Sequence, residues 1–233
     1  MDFPIQRHLH IPSGNVLLHG ELTIPRGATG IVIFAHSSGS SRFSPRNKFV
    51  ADTISNAGIG TLLLDLLTRQ EESIDEITRK FRFNITLLAS RLMDATLWIS
   101  NDSDTAHLCP GYFGASTGSA AALVAAAGLS ETIGAVVSRG GRPDLAGEAL
   151  IHVASPTLLI VGQNDPEVIR LNKEAYRMLN CKKEMKIIPR ATHLFEEPGT
   201  LQQVTRLAII WFEQYLHRFQ DNKYREQDLF ANA

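Results

Sequence analysis

Short apolar runs alternate along the chain with stretches whose apolar residues recur every three or four positions. The runs at 31–35, 61–64, 108–113, 135–138, 157–161 and 185–188 are strand-length and mostly apolar, as strands covered on both faces are. Helical patterns fall between them, at 47–57, 116–128 and 168–179. Ser73-Ile74-Asp75-Glu76 has capping-box spacing and predicts the start of a long helix. Its apolar face steps through Phe81, Ile85, Leu88, Leu92, Ala95 and Ile99. Thr200-Leu201-Gln202-Gln203 repeats that spacing before a helix with Val204, Ala208, Trp211 and Tyr215 on its inner face. The start of the chain differs. Residues 8–11 and 16–23 are strand-like pieces joined by Pro12-Ser13-Gly14-Asn15, a turn signal. The pattern predicts an α/β fold: a mostly parallel sheet with helices on both faces and an N-terminal antiparallel hairpin. No repeat or linker interrupts it, so one domain is expected over residues 1–217, followed by a polar tail over 218–233.

Composition narrows the function classes. The 233 residues are 44% hydrophobic and 20% charged, with a formal net charge of -1. That is enough chain for a sizeable core, with no charge bias toward nucleic acid or an anionic membrane. Cys109 and Cys181 alone make neither a disulfide framework nor a zinc site. Reduced thiols and a cytoplasmic location are expected. The first residues show no secretory leader pattern, and the oiliest stretch, 120–129, is too short to cross a bilayer. No nucleic acid, membrane, metal or cofactor is therefore expected as a partner, and the oligomeric state is left open.

The chemistry-bearing motif is Gly114-Ala115-Ser116-Thr117-Gly118. It matches G-x-S-x-G between a predicted strand and a predicted helix, the setting in which a sharp turn lifts a serine hydroxyl above the sheet. The glycines give the turn room. Ser116 is the expected nucleophile, and the Thr117 N–H points to where an oxyanion forms. The α/β-hydrolase order is serine, acid, histidine. Asp165 follows the run 157–161, at the strand end where such sheets build their sites. His193 lies between the last predicted strand and the last helix. Asp165 would orient His193, and His193 would take the Ser116 proton. Asp144, after the run 135–138, is a rival acid ranked behind Asp165.

A second oxyanion donor should come from the loop after 31–35, which reads His36-Ser37-Ser38-Gly39-Ser40-Ser41-Arg42. Ser38 N–H is the choice, with Ser37 next, and His36 is expected to order the loop. The loop lacks the Gly-Lys-Ser/Thr ending of a P-loop, and the chain has no G-x-G-x-x-G. Arg42, Arg139 and Arg142 fall on the same rim. There they either clamp a substrate carboxylate or phosphate or pair with Asp65, Asp144 or glutamates.

Beyond these motifs, the blocks at 36–47 (HSSGSSRFSPRN), 60–68 (GTLLLDLLT), 111–118 (GYFGASTG), 135–147 (AVVSRGGRPDLAG) and 191–200 (ATHLFEEPGT) resemble a bacterial dienelactone-hydrolase-like family. Related domains of that family occur alone and fused to phosphoribosyltransferase domains. The resemblance implies the α/β-hydrolase fold over nearly the whole chain, and it places Ser116, Asp165 and His193 on the family's triad. Dienelactone hydrolases proper use a cysteine where this chain has Ser116, which speaks against dienelactone itself as the substrate. Ser37 stands where the family usually has glycine. The expectation is a cofactor-free serine hydrolase of small carboxylic esters or lactones, with no cap domain. An acyltransferase, or a ligand-sensing or partner module with little turnover, is the alternative.

Overall fold

A computed structural model describes residues 4–36 and 41–217. Among them, eight strands form one sheet in the order β1-β2-β4-β3-β5-β6-β7-β8. The strands are β1 (Ile5–Ser13), β2 (Val16–Ile24), β3 (Gly30–Ala35), β4 (Gly60–Leu64), β5 (Cys109–Ala115), β6 (Ala135–Arg139), β7 (Thr157–Gly162) and β8 (Lys183–Ile188). β1 and β2 form the antiparallel hairpin, and β2 also runs antiparallel to β4. From β4 through β8 every neighbour is parallel.

Every residue of β3, β5, β6 and β7 is buried, because helices cover both faces. Side chains alternate between faces. Ile33, Tyr112, Val136 and Leu159 pack toward α3 (Ile85–Asn101), α4 (Thr117–Gly128) and α5 (Pro166–Met178). Val32, Phe34, Phe113, Val137 and Ile160 pack toward α1 (Pro45–Asn56) and α6 (Thr200–Tyr215). The edge strand β8 carries Lys183, Glu184 and Lys186, charges that discourage pairing with another sheet.

The long helix expected from Ser73 is two helices, α2 (Arg69–Thr78) and α3. The capping box lies one turn earlier. Glu71 N–H donates to the Thr68 hydroxyl at 3.2 Å, and Thr68 N–H donates to the Glu71 carboxylate at 2.8 Å. The break is built by a buried carboxylate. Asp75 accepts from Phe81 N–H at 2.6 Å, Arg82 N–H at 2.9 Å and Arg82 Nε at 2.7 Å. These bonds turn the chain out of the helix after Arg79, whose φ is 55°. Asn84 then caps α3 by accepting from Leu87 N–H at 3.1 Å. The box expected at Thr200 is also absent. Gly199 occupies the N-cap with φ 82°, and the Thr200 hydroxyl donates to the Glu197 carbonyl at 2.7 Å.

Between β6 and β7 lie two short 3-10 segments within Pro143–His152, separated by non-helical backbone at Gly147. They use up the connection, so no lid is inserted there. Among the described residues no helix is long and apolar enough to cross a membrane.

Candidate active site

The site stands at the C-terminal ends of the parallel strands. β5 ends at Ala115 and α4 starts at Thr117, leaving Ser116 alone to make the turn at φ 51°, ψ −125°. A side chain forced to positive φ costs on the order of 1–3 kcal/mol, so the surroundings must over-determine the turn. They do so by close contact. A Cβ on Gly118 would overlap the Ala35 carbonyl oxygen, and one on Gly114 would lie 2.5 Å from Ser119 Cα. The Ser116 carbonyl is held by Arg142 N–H at 3.0 Å.

Ser116 lines a cavity of about 470 Å³ together with Thr117, Arg142, Val168, His193 and two residues of the α2–α3 break, Arg82 and Phe83. Thr117 opens α4, so its N–H has no partner within the helix and is available at the cavity wall. Ser38 and Ser37, expected to supply the second donor, lie outside the described residues. The described flanks of that loop are tied to one buried carboxylate: His36 Nε2 lies 3.2 Å from Asp65 Oδ1, and Arg42 N–H donates to the same oxygen at 2.7 Å. Burial pushes the Asp65 carboxyl up, but hydrogen bonds from His36 and Arg42 outweigh it and hold the group below the usual range.

Asp165 stands at the N-cap position of α5, in the short connection after β7, with its side chain making no capping bond, and His193 lies in the β8–α6 connection. His193 Nδ1 is 2.7 Å from Asp165 Oδ2. With a carboxylate oxygen as the acceptor, Nδ1 is the donor of this bond, and in the neutral ring that leaves the lone pair on Nε2. The His193 loop is fixed on both sides. Asn164 N–H donates to the Ala191 carbonyl at 2.9 Å, and the Thr192 hydroxyl donates to Glu197 at 2.6 Å. Asp144 is elsewhere: it accepts from Arg142 Nε at 2.9 Å and Nη2 at 2.7 Å.

The three arginines differ. Arg42 is joined to Asp65 through its guanidinium. Arg142 is joined to Asp144, a bond that raises the Arg142 pKa, yet it still borders the cavity. Arg139 makes no ion pair among the described residues and is buried beside Phe195. Sequence reasoning missed Arg82 and Phe83 because it ran one helix through them. The signals were present: Thr68-x-x-Glu71 has the capping-box spacing, and Asn84 is a good N-cap residue ahead of the α3 periodicity. Among the described residues no group of three or more His, Cys, Asp or Glu side chains is placed to hold a metal ion.

A mostly parallel sheet with a serine on a strained strand-to-helix turn after β5, and an Asp–His pair on the connections after β7 and β8, has the form of an α/β hydrolase. The dienelactone hydrolase family model matches residues 18–227, and the chain belongs to that family. It is 59% identical to the crystal structure of a dienelactone hydrolase from Anabaena variabilis, with a TM-score of 0.90, covering 92% of this chain and 99% of that one. It is 53% identical over 208 residues to Mycobacterium tuberculosis proteins called putative phosphoribosyl transferases. The match covers 89% of this chain but 46% of those proteins, so the chain spans about half the length of these curated relatives. Est1E from Butyrivibrio proteoclasticus shares the fold, with a TM-score of 0.74 at 13% identity over 89% of this chain and 98% of that one.

Proposed function

We propose that the chain is a serine hydrolase of small carboxylic esters or lactones, acting through an acyl-enzyme. The observation that carries this reading is the strained Ser116 turn sharing a cavity with His193, whose far ring nitrogen is tied to Asp165. In this mechanism Ser116 Oγ attacks the carbonyl carbon while His193 Nε2 takes its proton. Asp165 holds the tautomer and stabilises the imidazolium. The C–O bond to the leaving group breaks, and His193 returns the proton to the departing oxygen. Water then repeats the sequence on the acyl-enzyme and frees Ser116. Thr117 N–H supplies one oxyanion donor, and the loop carrying Ser38 supplies the other. The size of the cavity and the absence of an insertion between β6 and β7 favour small substrates.

Replacement of the nucleophile tests the reading. Ser116→Ala should lower esterase turnover on short p-nitrophenyl esters by about 10³-fold or more. It should also abolish labelling by a fluorophosphonate probe, with an unchanged circular dichroism spectrum. Wild-type turnover or labelling in that variant would overturn the reading.

A further inference from the structure

Arg139 is the one rim arginine without a counter-ion among the described residues. It ends β6 in register with Ala115, the residue before Ser116, and its carbonyl accepts the Ser116 N–H at 3.5 Å. The residue is only 9% exposed. Its Nε and Nη1 are sealed from solvent, and neither has a hydrogen-bond partner among the described residues. Its guanidinium carbon lies 5.8 Å from the Phe195 ring centroid. The charge that acts on it is another cation, Arg46, itself joined to Glu196 at 2.7 Å.

A buried charge is unfavourable unless it is paired, and buried donors are normally satisfied. Arg42 and Arg142 on the same rim pair their charge with Asp65 and Asp144, although Arg42 Nε is also buried without a hydrogen bond among the described residues. Arg139 has no such counter-ion among them. Burial, with a smaller contribution from Arg46, lowers its pKa to about 10, so it remains a cation at neutral pH. A guanidinium with orphaned N–H donors matches the oxygens of a carboxylate or phosphate. The location also links it to the reacting groups. The next residue, Gly140, backs onto His193: a Cβ there would lie 3.0 Å from the His193 carbonyl oxygen. Phe195, under the guanidinium, follows His193 by two residues and is held at φ 56°.

We propose that Arg139 is an anion receptor beside the Ser116 site, binding an oxyanion group of the carboxylate or phosphate type. The group is carried by the substrate or comes free from solution. The link to turnover rests on the hydrolase reading above, whereas anion binding itself does not.

The test therefore has a binding arm and a kinetic arm. In Ser116→Ala protein, inorganic phosphate or succinate should raise Tm in a saturable way that sodium chloride at equal ionic strength does not reproduce. Adding Arg139→Gln should weaken that response at least tenfold. In the active enzyme, p-nitrophenyl hemisuccinate is compared with neutral p-nitrophenyl butyrate. The ratio of their kcat/KM values should fall at least tenfold in Arg139→Gln and Arg139→Met, and less in Arg139→Lys. Saturable binding lost in the variant supports the receptor. If the ratio falls too, the anion is substrate-borne, and if the ratio is unchanged the ligand is the free ion. An absent Tm response together with an unchanged ratio overturns the proposal and makes Arg139 structural. Should the neutral variants not fold, the wild-type titration, Arg139→Lys and the wild-type preference between the two esters still decide it. Loss of esterase activity alone, with anion binding intact, would count against the hydrolase reading and leave the receptor standing.

Discussion

Two stretches wall the candidate site and keep their shape by different means. The turn from β5 to α4 is held by contact. Gly118 has no room for a Cβ against Ala35, and Ala120, Ala121 and Ala122 are fully buried behind it. The stretch from α2 to α3 is held by charge. Asp75 gathers two backbone N–H groups and the Arg82 guanidinium, and Arg91 grips Glu71 at 2.6 Å and the Leu66 carbonyl at 2.7 Å. Contact fixes an atom to within a fraction of an ångström, as a nucleophile requires. A cluster of charges fixes a wall and leaves the residues that shape the pocket, Arg82 and Phe83, on a connection free to differ between relatives. Substitutions should therefore separate in kind: at the first stretch they meet backbone that cannot yield and cost fold and chemistry together, whereas at the second they weaken a wall and cost less stability and the fit of the substrate.

The largest effect is expected at the acid. Asp165→Asn keeps the shape but lets His193 adopt the wrong tautomer, so kcat should fall by about 10³–10⁴-fold, as in serine proteases. Asp144→Asn breaks only the bond to Arg142 and should change kcat by less than about tenfold. Steady-state kinetics on one ester decides between them, and the reverse ranking would move the acid to Asp144. Next is the elbow itself. In Gly118→Ala the new methyl meets backbone, which cannot swing aside, so the loss of stability should reach about 3 kcal/mol or more. Urea unfolding measures it, and a near-wild-type midpoint would mean the turn is held by something other than contact.

At the charge-built wall, Asp75→Asn should lose about 2 kcal/mol, the scale of hydrogen bonds to a buried charged acceptor. The pH dependence has a definite sign. Burial pushes the Asp75 carboxyl up, but hydrogen bonds from Arg82 and Phe81 outweigh it and leave the folded-state pKa below its ordinary value. The folded state therefore binds this proton less readily than the unfolded chain. The stabilisation is complete above the ordinary range near pH 4 and is lost as pH falls through it toward the lowered folded-state value. Wild-type protein should lose stability along that limb, and Asp75→Asn should show a shallower decline. Parallel limbs in thermal melts from pH 6 to pH 3 would remove Asp75 from the account.

The same contrast explains what could be read from the sequence. Strands such as 31–35 and 157–161 are apolar throughout and bounded by turn residues, so their burial on both faces was visible. That Ser116 and His193 would share a cavity and that His193 would meet Asp165 was legible from the G-x-S-x-G turn and from the order of the three residues along the chain. The α2–α3 break was not, because its cause is a side chain acting across six and seven residues, from Asp75 to Phe81 and Arg82. Helical periodicity survives such a break: Ile85, Leu88, Leu92, Ala95 and Ile99 keep their spacing in α3, and Phe81, just ahead of it, still packs against the core. The lack of an ion pair at Arg139 among the described residues was equally hidden, since Arg139 and Arg142 both stand close to Asp144 in sequence and only geometry gives Asp144 to Arg142.

The smallest effect lies between the two capping boxes, and it tests that reading directly. Both Thr68-x-x-Glu71 and Ser73-x-x-Glu76 have the required spacing. In the fold, Thr68 takes the N-cap and exchanges hydrogen bonds with Glu71, which also reaches Arg91. Ser73 is inside α2, and its hydroxyl donates to the Arg69 carbonyl at 3.0 Å, a bond that satisfies no orphaned helix N–H. Thr68→Ala should therefore cost about 1 kcal/mol, seen as a lower urea midpoint at unchanged slope. Ser73→Ala should be neutral or slightly stabilising, because alanine is the better residue in a helix interior. The Thr68 loss should also shrink in a Glu71→Gln background, since removing the reciprocal partner leaves less for the hydroxyl to support. If Ser73→Ala proves the more damaging of the two, the helix starts at Ser73 after all. The wall of the site would then belong to one continuous helix, and the contrast drawn above between a contact-built and a charge-built wall would fail at its second half.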